Sequence, residues 1–150
     1  MKYEKTILFG GLYMLARINC ATEFDSLINK ISRAYGNNPA LVKAIISAES
    51  SFNPSAHNTR GEDSRGLGQI NADTARALGV HDLTTLFEPE TNVMVMNKLL
   101  VDLKSRYSHI LDIISAYNAG RPLLKDGFYV NSNYVLKVYS RYLAYSVLII

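Results

Sequence analysis

Glu49 is the one acidic side chain in the stretch AESSFNPSAHN, residues 48–58. It closes an apolar run and precedes a Phe-Asn-Pro break. The residues three, four and seven positions before it are Ile46, Ile45 and Val42, so on a helix Glu49 shares the buried edge. Pro54 pushes Asn53 out of the helical region, which leaves Glu49 in the helix's last turn. Unsatisfied carbonyls and the negative end of the helix dipole face it there. Burial and dipole both disfavour the ionised carboxylate, so both raise its pKa. A carboxyl kept protonated near neutral pH is what cleavage of a glycosidic bond needs at the leaving oxygen. A structural Glu, paired with a basic residue or with an N–H of the following loop, explains the same position equally well.

Other chemistries find no support in the sequence. One cysteine, Cys20, allows no intrachain disulfide, and His57, His81 and His109 are too scattered to suggest a metal site. There is no Gly-rich phosphate loop and no G-x-S-x-G turn. No cofactor is expected. The formal charge of +3 is an ordinary solubility margin. Without a dense Lys/Arg block it does not point to nucleic acid.

The elements that must position Glu49 read as mainly helical. Thr22 and Asp25 form a capping box for a first helix with Phe24, Leu27, Ile28, Ile31, Ala34 and Tyr35 on its apolar face. Asn38 caps a second helix that opens on Pro39 and carries Glu49. Residues 55–70 are polar and Gly-rich, a long loop or short hairpin. A short helix over 72–78 follows, capped by Asn71 and stopped by Gly79. Pro89 opens a helix with Val93, Met96, Leu100, Leu103 and Tyr107 at core spacing. HILDIISAYNAG forms the next, ending at Gly120, and 133–145 forms the last, with Tyr134, Val138, Tyr142 and Tyr145 on one face. The domain is expected over 22–150. The first 21 residues carry Lys2 and Lys5 before an apolar run. They read either as a secretory signal segment or as a retained apolar helix, with Glu4, Arg17 and Asn19 departing from the signal pattern.

Three blocks, in order, resemble the soluble lytic transglycosylase domain, a relative of goose-type lysozyme. They are AIISAESSFNPSA (44–56), GLGQINADTARALG (66–79) and SAYNAG (115–120), with weaker likeness at LFEPETN (86–92) and NYVLKV (133–138). The resemblance implies a lysozyme-like α domain with at most a small β-hairpin. It implies cleavage of the β-1,4 bond between N-acetylmuramic acid and N-acetylglucosamine in peptidoglycan. Glu49 would act first as acid and then as base, taking the proton of the muramic acid 6-hydroxyl as that oxygen closes on C1. By position in the motifs, Tyr117 would hold Glu49 through its hydroxyl, while Gln69, Asn118 and Asn58 would lie along the sugar. The implied partner is a peptidoglycan glycan strand, met by a monomer in the periplasm or cell envelope or from a phage virion. A virion or a secretion apparatus is a candidate protein partner.

Two departures from the family pattern stand out. Gly68 replaces the usual methionine of the second block, which suggests a wider, less apolar cleft floor. Residues 58–66 are slightly long and carry Glu62 and Asp63. Either carboxylate could activate a water and make the enzyme a hydrolase; the alternative is that both are solvated loop charges, paired with Arg60 or Arg65. A peptidoglycan-binding protein without turnover is the remaining reading, against which the intact Glu49, Gln69 and Tyr117 argue.

Overall fold

The computed structural model describes residues 21–148 and, before them, the strands Ile7–Phe9 (β1) and Leu12–Met14 (β2). These two pair antiparallel with Phe9 opposite Leu12, so the described part of this segment is strand and not the retained helix that was one of its two readings. Gly10-Gly11, between the strands in sequence, is a two-residue hairpin signal that explains the difference. The remainder of the signal-like segment lies outside the described residues.

Helix α1 spans Asp25–Ala34 and α2 spans Pro39–Glu49. The Asp25 carboxylate accepts from the Thr22 backbone N–H (3.1 Å) and hydroxyl (2.7 Å), but α1 opens at Asp25 with Phe24 as its cap residue and no side-chain cap bond, so Thr22 does not cap the helix as expected. Asn38 caps α2 by accepting from the Ala40 N–H at 2.9 Å. Phe24, Ile28 and Ile31 are buried as their spacing requires, whereas Ala34 is exposed in the last turn. Lys43, buried in α2, pairs with Asp25 at 2.7 Å and lies over the Tyr145 ring, tying three helices together.

The Gly-rich stretch is richer in structure than one hairpin. His57–Asn58 (β3), Ser64–Arg65 (β4) and Ile70–Asn71 (β5) form a three-stranded antiparallel sheet, with His57 opposite Arg65 and Arg65 opposite Ile70. Asn71 ends β5 and caps the short helix α3 (Ala72–Ala77) through the Asp73 N–H. A 3-10 turn, Leu83–Phe87, leads into α4 (Pro89–Arg106), whose Val93, Met96, Leu100 and Leu103 are fully buried. Helix α5 (Ile110–Ala119) stops at Gly120, which takes the left-handed conformation. A further hairpin, Leu124–Lys125 (β6) and Phe128–Tyr129 (β7), turns on Asp126-Gly127, both at positive φ. Helix α6 (Ser132–Leu148) then returns across α2, and this pair makes the most extensive interhelical contact among the described residues. Val42, Ile45 and Ile46 of α2 and Val138 of α6 are inaccessible to solvent. The core therefore runs along α2 as far as Ile46, about one turn before Glu49. No helix among the described residues is long and apolar enough to cross a membrane.

Candidate active site

Helix α2 delivers Glu49 to the edge of the core. The chain then turns sharply, with Ser51 at φ 53° and Phe52 at φ 65°. Two consecutive non-glycine residues in the left-handed region cost about 1–3 kcal/mol each. Phe52 packs against the core, which holds this turn in place. Glu49 is half-buried and opens into a cleft of about 1150 Å³. Its Oε1 accepts from the Tyr134 hydroxyl at 2.6 Å, and Oε2 has no partner among the described residues. Burial pushes the carboxyl pKa up, against the opposing pull of the Tyr134 hydroxyl and the Lys137 charge.

The donor to Glu49 is therefore Tyr134 of α6, not Tyr117. The Tyr117 hydroxyl donates instead to the Gly68 carbonyl at 2.9 Å. Burial and then the Glu49 charge push the pKa of both tyrosines well up, so both remain neutral hydroxyls. Eighty-five positions separate Tyr134 from Glu49, and Tyr134 shares a face with core residues, so local patterning gives no hint of the contact. Lys137, one turn further along α6, donates to the Ala48 carbonyl at 2.8 Å. Both ends of this clasp were invisible to sequence spacing for the same reason.

Glu49, Asn58, Gln69, Tyr117 and Asn118 all line the one cleft. Their hydrogen bonds differ from a set of open sugar contacts. Gln69, at φ 47°, turns its amide back on the Ala56 and Gly66 carbonyls at 3.0 Å each. Asn118 accepts from Asn131 at 3.0 Å, and Asn58 accepts from the Arg60 N–H at 3.0 Å.

The Gly66–Gly68 loop is clamped by a residue the motifs did not single out. Buried Asn92 donates to the Arg65 and Leu86 carbonyls and accepts from the Gly68 N–H. At Gly66, with φ +74°, a Cβ would lie 2.1 Å from the Leu86 carbonyl oxygen. At Gly68 it would lie 2.4 Å from the Met96 sulfur and 2.8 Å from the Tyr117 hydroxyl. The expected wider floor is thus absent at this position: buried Met96 of α4 fills the space that the missing side chain leaves.

Across the cleft, Asp63 accepts two bonds from Arg65 at 2.8 Å, and its Oδ1 lies 2.8 Å from His57 Nε2. The Arg65 hydrogen bonds, then that of His57, hold its pKa down to about 2. Glu62 is exposed and accepts from Asn71 at 3.0 Å. The pairing of Asp63 with Arg65 matches the solvated-charge alternative; Arg60 takes no part in it.

The sequence that builds this cleft matches a known family. The transglycosylase SLT domain matches residues 26–134, and the chain belongs to that family. Membrane-bound lytic murein transglycosylase C of Mannheimia succiniciproducens is 28% identical over 91% of this chain and 43% of its own length. That of Photorhabdus laumondii is 33% identical over 67% of this chain and 32% of its own. The transglycosylase of Enterobacteria phage PRD1 is 32% identical over 67% of this chain and 36% of its own. The chain thus spans about a third to two fifths of the length of these relatives. Among solved structures, an inactive mutant of the lytic transglycosylase Slt from Pseudomonas aeruginosa superposes with a TM-score of 0.70 at 21% identity, covering 87% of this chain and 25% of that one. The 70 kDa soluble lytic transglycosylase of Escherichia coli gives 0.55 at 19%, covering 80% and 19%. These two likenesses concern the fold.

Proposed function

We propose that the chain is a peptidoglycan lytic transglycosylase with Glu49 as its acid and base. The observation that carries this is the environment of one carboxyl: half-buried at the end of α2, held by Tyr134 on one oxygen, and lining a cleft. Burial favours the protonated form that the first step uses. The Glu49 proton passes to the bridging oxygen as the bond from C1 of the muramic acid to that oxygen breaks. The muramic acid 6-hydroxyl then bonds to C1 and gives its proton to Glu49, which restores the starting state. The product ends in a 1,6-anhydro sugar and no water is consumed. Because the nucleophile belongs to the substrate, its effective concentration is high and no second carboxylate is needed.

The surroundings of the other acids fit this better than they fit a hydrolase. A base for water should be free to take a proton near neutral pH. Asp63 is occupied by Arg65 and His57 and its pKa is about 2, so it is a weak base. The substrate class places the enzyme where murein lies, in the cell envelope or entering it from a phage particle, as the named relatives suggest.

Mass spectrometry of digested peptidoglycan tests the reading. Wild type should release muropeptides one water lighter than reducing ends, and Asp63→Asn and Glu62→Gln should release the same products. Glu49→Gln should lose at least about a hundredfold in rate, the smallest usual worth of a general acid. Reducing ends that disappear in Asp63→Asn or Glu62→Gln would assign water attack instead. An intact wall with folded wild type would remove the enzyme reading altogether.

A further inference from the structure

We infer that Lys137 is a positioning residue for the reaction, fixing the last turn of α2 and placing a cation beside Glu49. The inference rests on Glu49 being the acid. Lys137 is exposed, yet its amine is directed at one atom, the Ala48 carbonyl, at 2.8 Å. Ala48 immediately precedes Glu49, and its carbonyl belongs to the set left without helical partners at a helix C-terminus. A cation there opposes the negative end of the dipole. Three residues earlier on the same helix, and so on the same face, Tyr134 donates to the Glu49 carboxyl. Two adjacent side chains of α6 therefore grip two adjacent residues of α2, one through the backbone and one through the reacting group.

The charges facing Glu49 give Lys137 its particular part. From α6 come the neutral Tyr134 and the cation Lys137; from α5 comes the neutral Tyr117. The sheet and α3 bring Arg60, Glu62, Asp63, Asp73 and Arg76 to the same cleft, and α4 brings Asp102 and Arg106. Asp63 is paired with Arg65, Asp73 with Arg76 and Asp102 with Arg106. Of these charges, it is that of Lys137 that acts on Glu49, and it acts against burial. The Tyr134 hydrogen bond pulls in the same direction and more strongly, so the Lys137 variants are compared with Tyr134 intact.

The test is a titration of the Glu49 carboxyl by carbon-13 NMR, with Glu49→Gln assigning the resonance, alongside the pH profile of kcat/KM. Lys137→Met should move the Glu49 titration to higher pH and carry the basic limb of the profile with it. Lys137→Arg should restore both to near wild type. Lys137→Gln keeps a donor for the Ala48 carbonyl and loses only the charge, so it too should shift both upward, and it keeps the test decisive if the methionine variant does not fold. A Glu49 titration unchanged in a folded Met or Gln variant would overturn the inference. The NMR readout does not depend on turnover, so it distinguishes failure of this inference from failure of the transglycosylase reading, which would show as an inactive wild type.

Discussion

Glu49 sits where ionisation is costly, and that has a consequence for stability. Its folded pKa is raised by burial above the unfolded value of about 4.3. Between those two values the native state binds more protons than the unfolded one, so stability falls as pH rises through the window. Glu49→Gln removes the titration and should therefore gain stability relative to wild type as pH rises from the unfolded value to the raised folded one. Urea denaturation at several pH values checks this. A constant difference between the two proteins would mean that burial does not oppose the charge at Glu49. Such a gain in the variant that loses activity is the expected mark of a residue kept for chemistry at the expense of the fold. The same residue shows what sequence could and could not tell. Its place at the end of α2, on the buried edge, followed from the apolar residues behind it and Pro54 beyond it. Its hydrogen-bond donor did not, because Tyr134 and Tyr117 are both tyrosines on helix faces and only the packing of α6 on α2 decides between them.

The helices were legible because their ends carry their own chemistry. Asn38, Asn71 and Gly120 cap where their side chains or backbone freedom require. The small strands were less so. Each strand from β3 to β7 has two residues, too few for an alternating pattern to appear, although Asp126-Gly127 is a hairpin signal that the sequence does contain. The substitution of methionine by Gly68 was misread because its effect depends on α4. Reading the loop alone suggests empty space; the structure shows Met96 occupying it. This makes Gly68 and Met96 one packing unit. Gly68→Ala should destabilise by about 1–3 kcal/mol through overpacking. Met96→Ala should cost roughly 2–5 kcal/mol through the cavity it leaves. The double variant should cost less than the sum of the two single changes, since each relieves the other. Gly66→Ala should not be relieved by Met96→Ala, because its Cβ meets the Leu86 carbonyl and the Asn92 amide and the φ is +74°. A thermal-denaturation cycle over these four variants reads the coupling directly; strict additivity would mean that Met96 does not fill the space at Gly68.

At the scale of the molecule, the site belongs to two helices that the chain brings together only at its end. The family match stops at Tyr134, but the packing does not. Val135 and Val138 are buried, Tyr145 is nearly so beneath Lys43, and Lys137 reaches back to Ala48. Residues 135–147 thus complete the core against α2 while fixing its last turn. A chain ending at Tyr134 would leave the helix that bears Glu49 without the neighbour it packs on most. It would expose Ile45, Ile46 and Val42 near the site and leave Tyr134 at a frayed terminus. Each large apolar side chain returned to water costs about 1.5–3 kcal/mol, and a domain of this size has only about 5–15 kcal/mol to lose. The truncated chain should therefore show no cooperative unfolding transition by circular dichroism and no lytic activity. A chain ending at Val147 should keep both. A folded, active protein ending at Tyr134 would mean that α6 beyond that point is an accessory, and that the grip on α2 is set by Tyr134 alone.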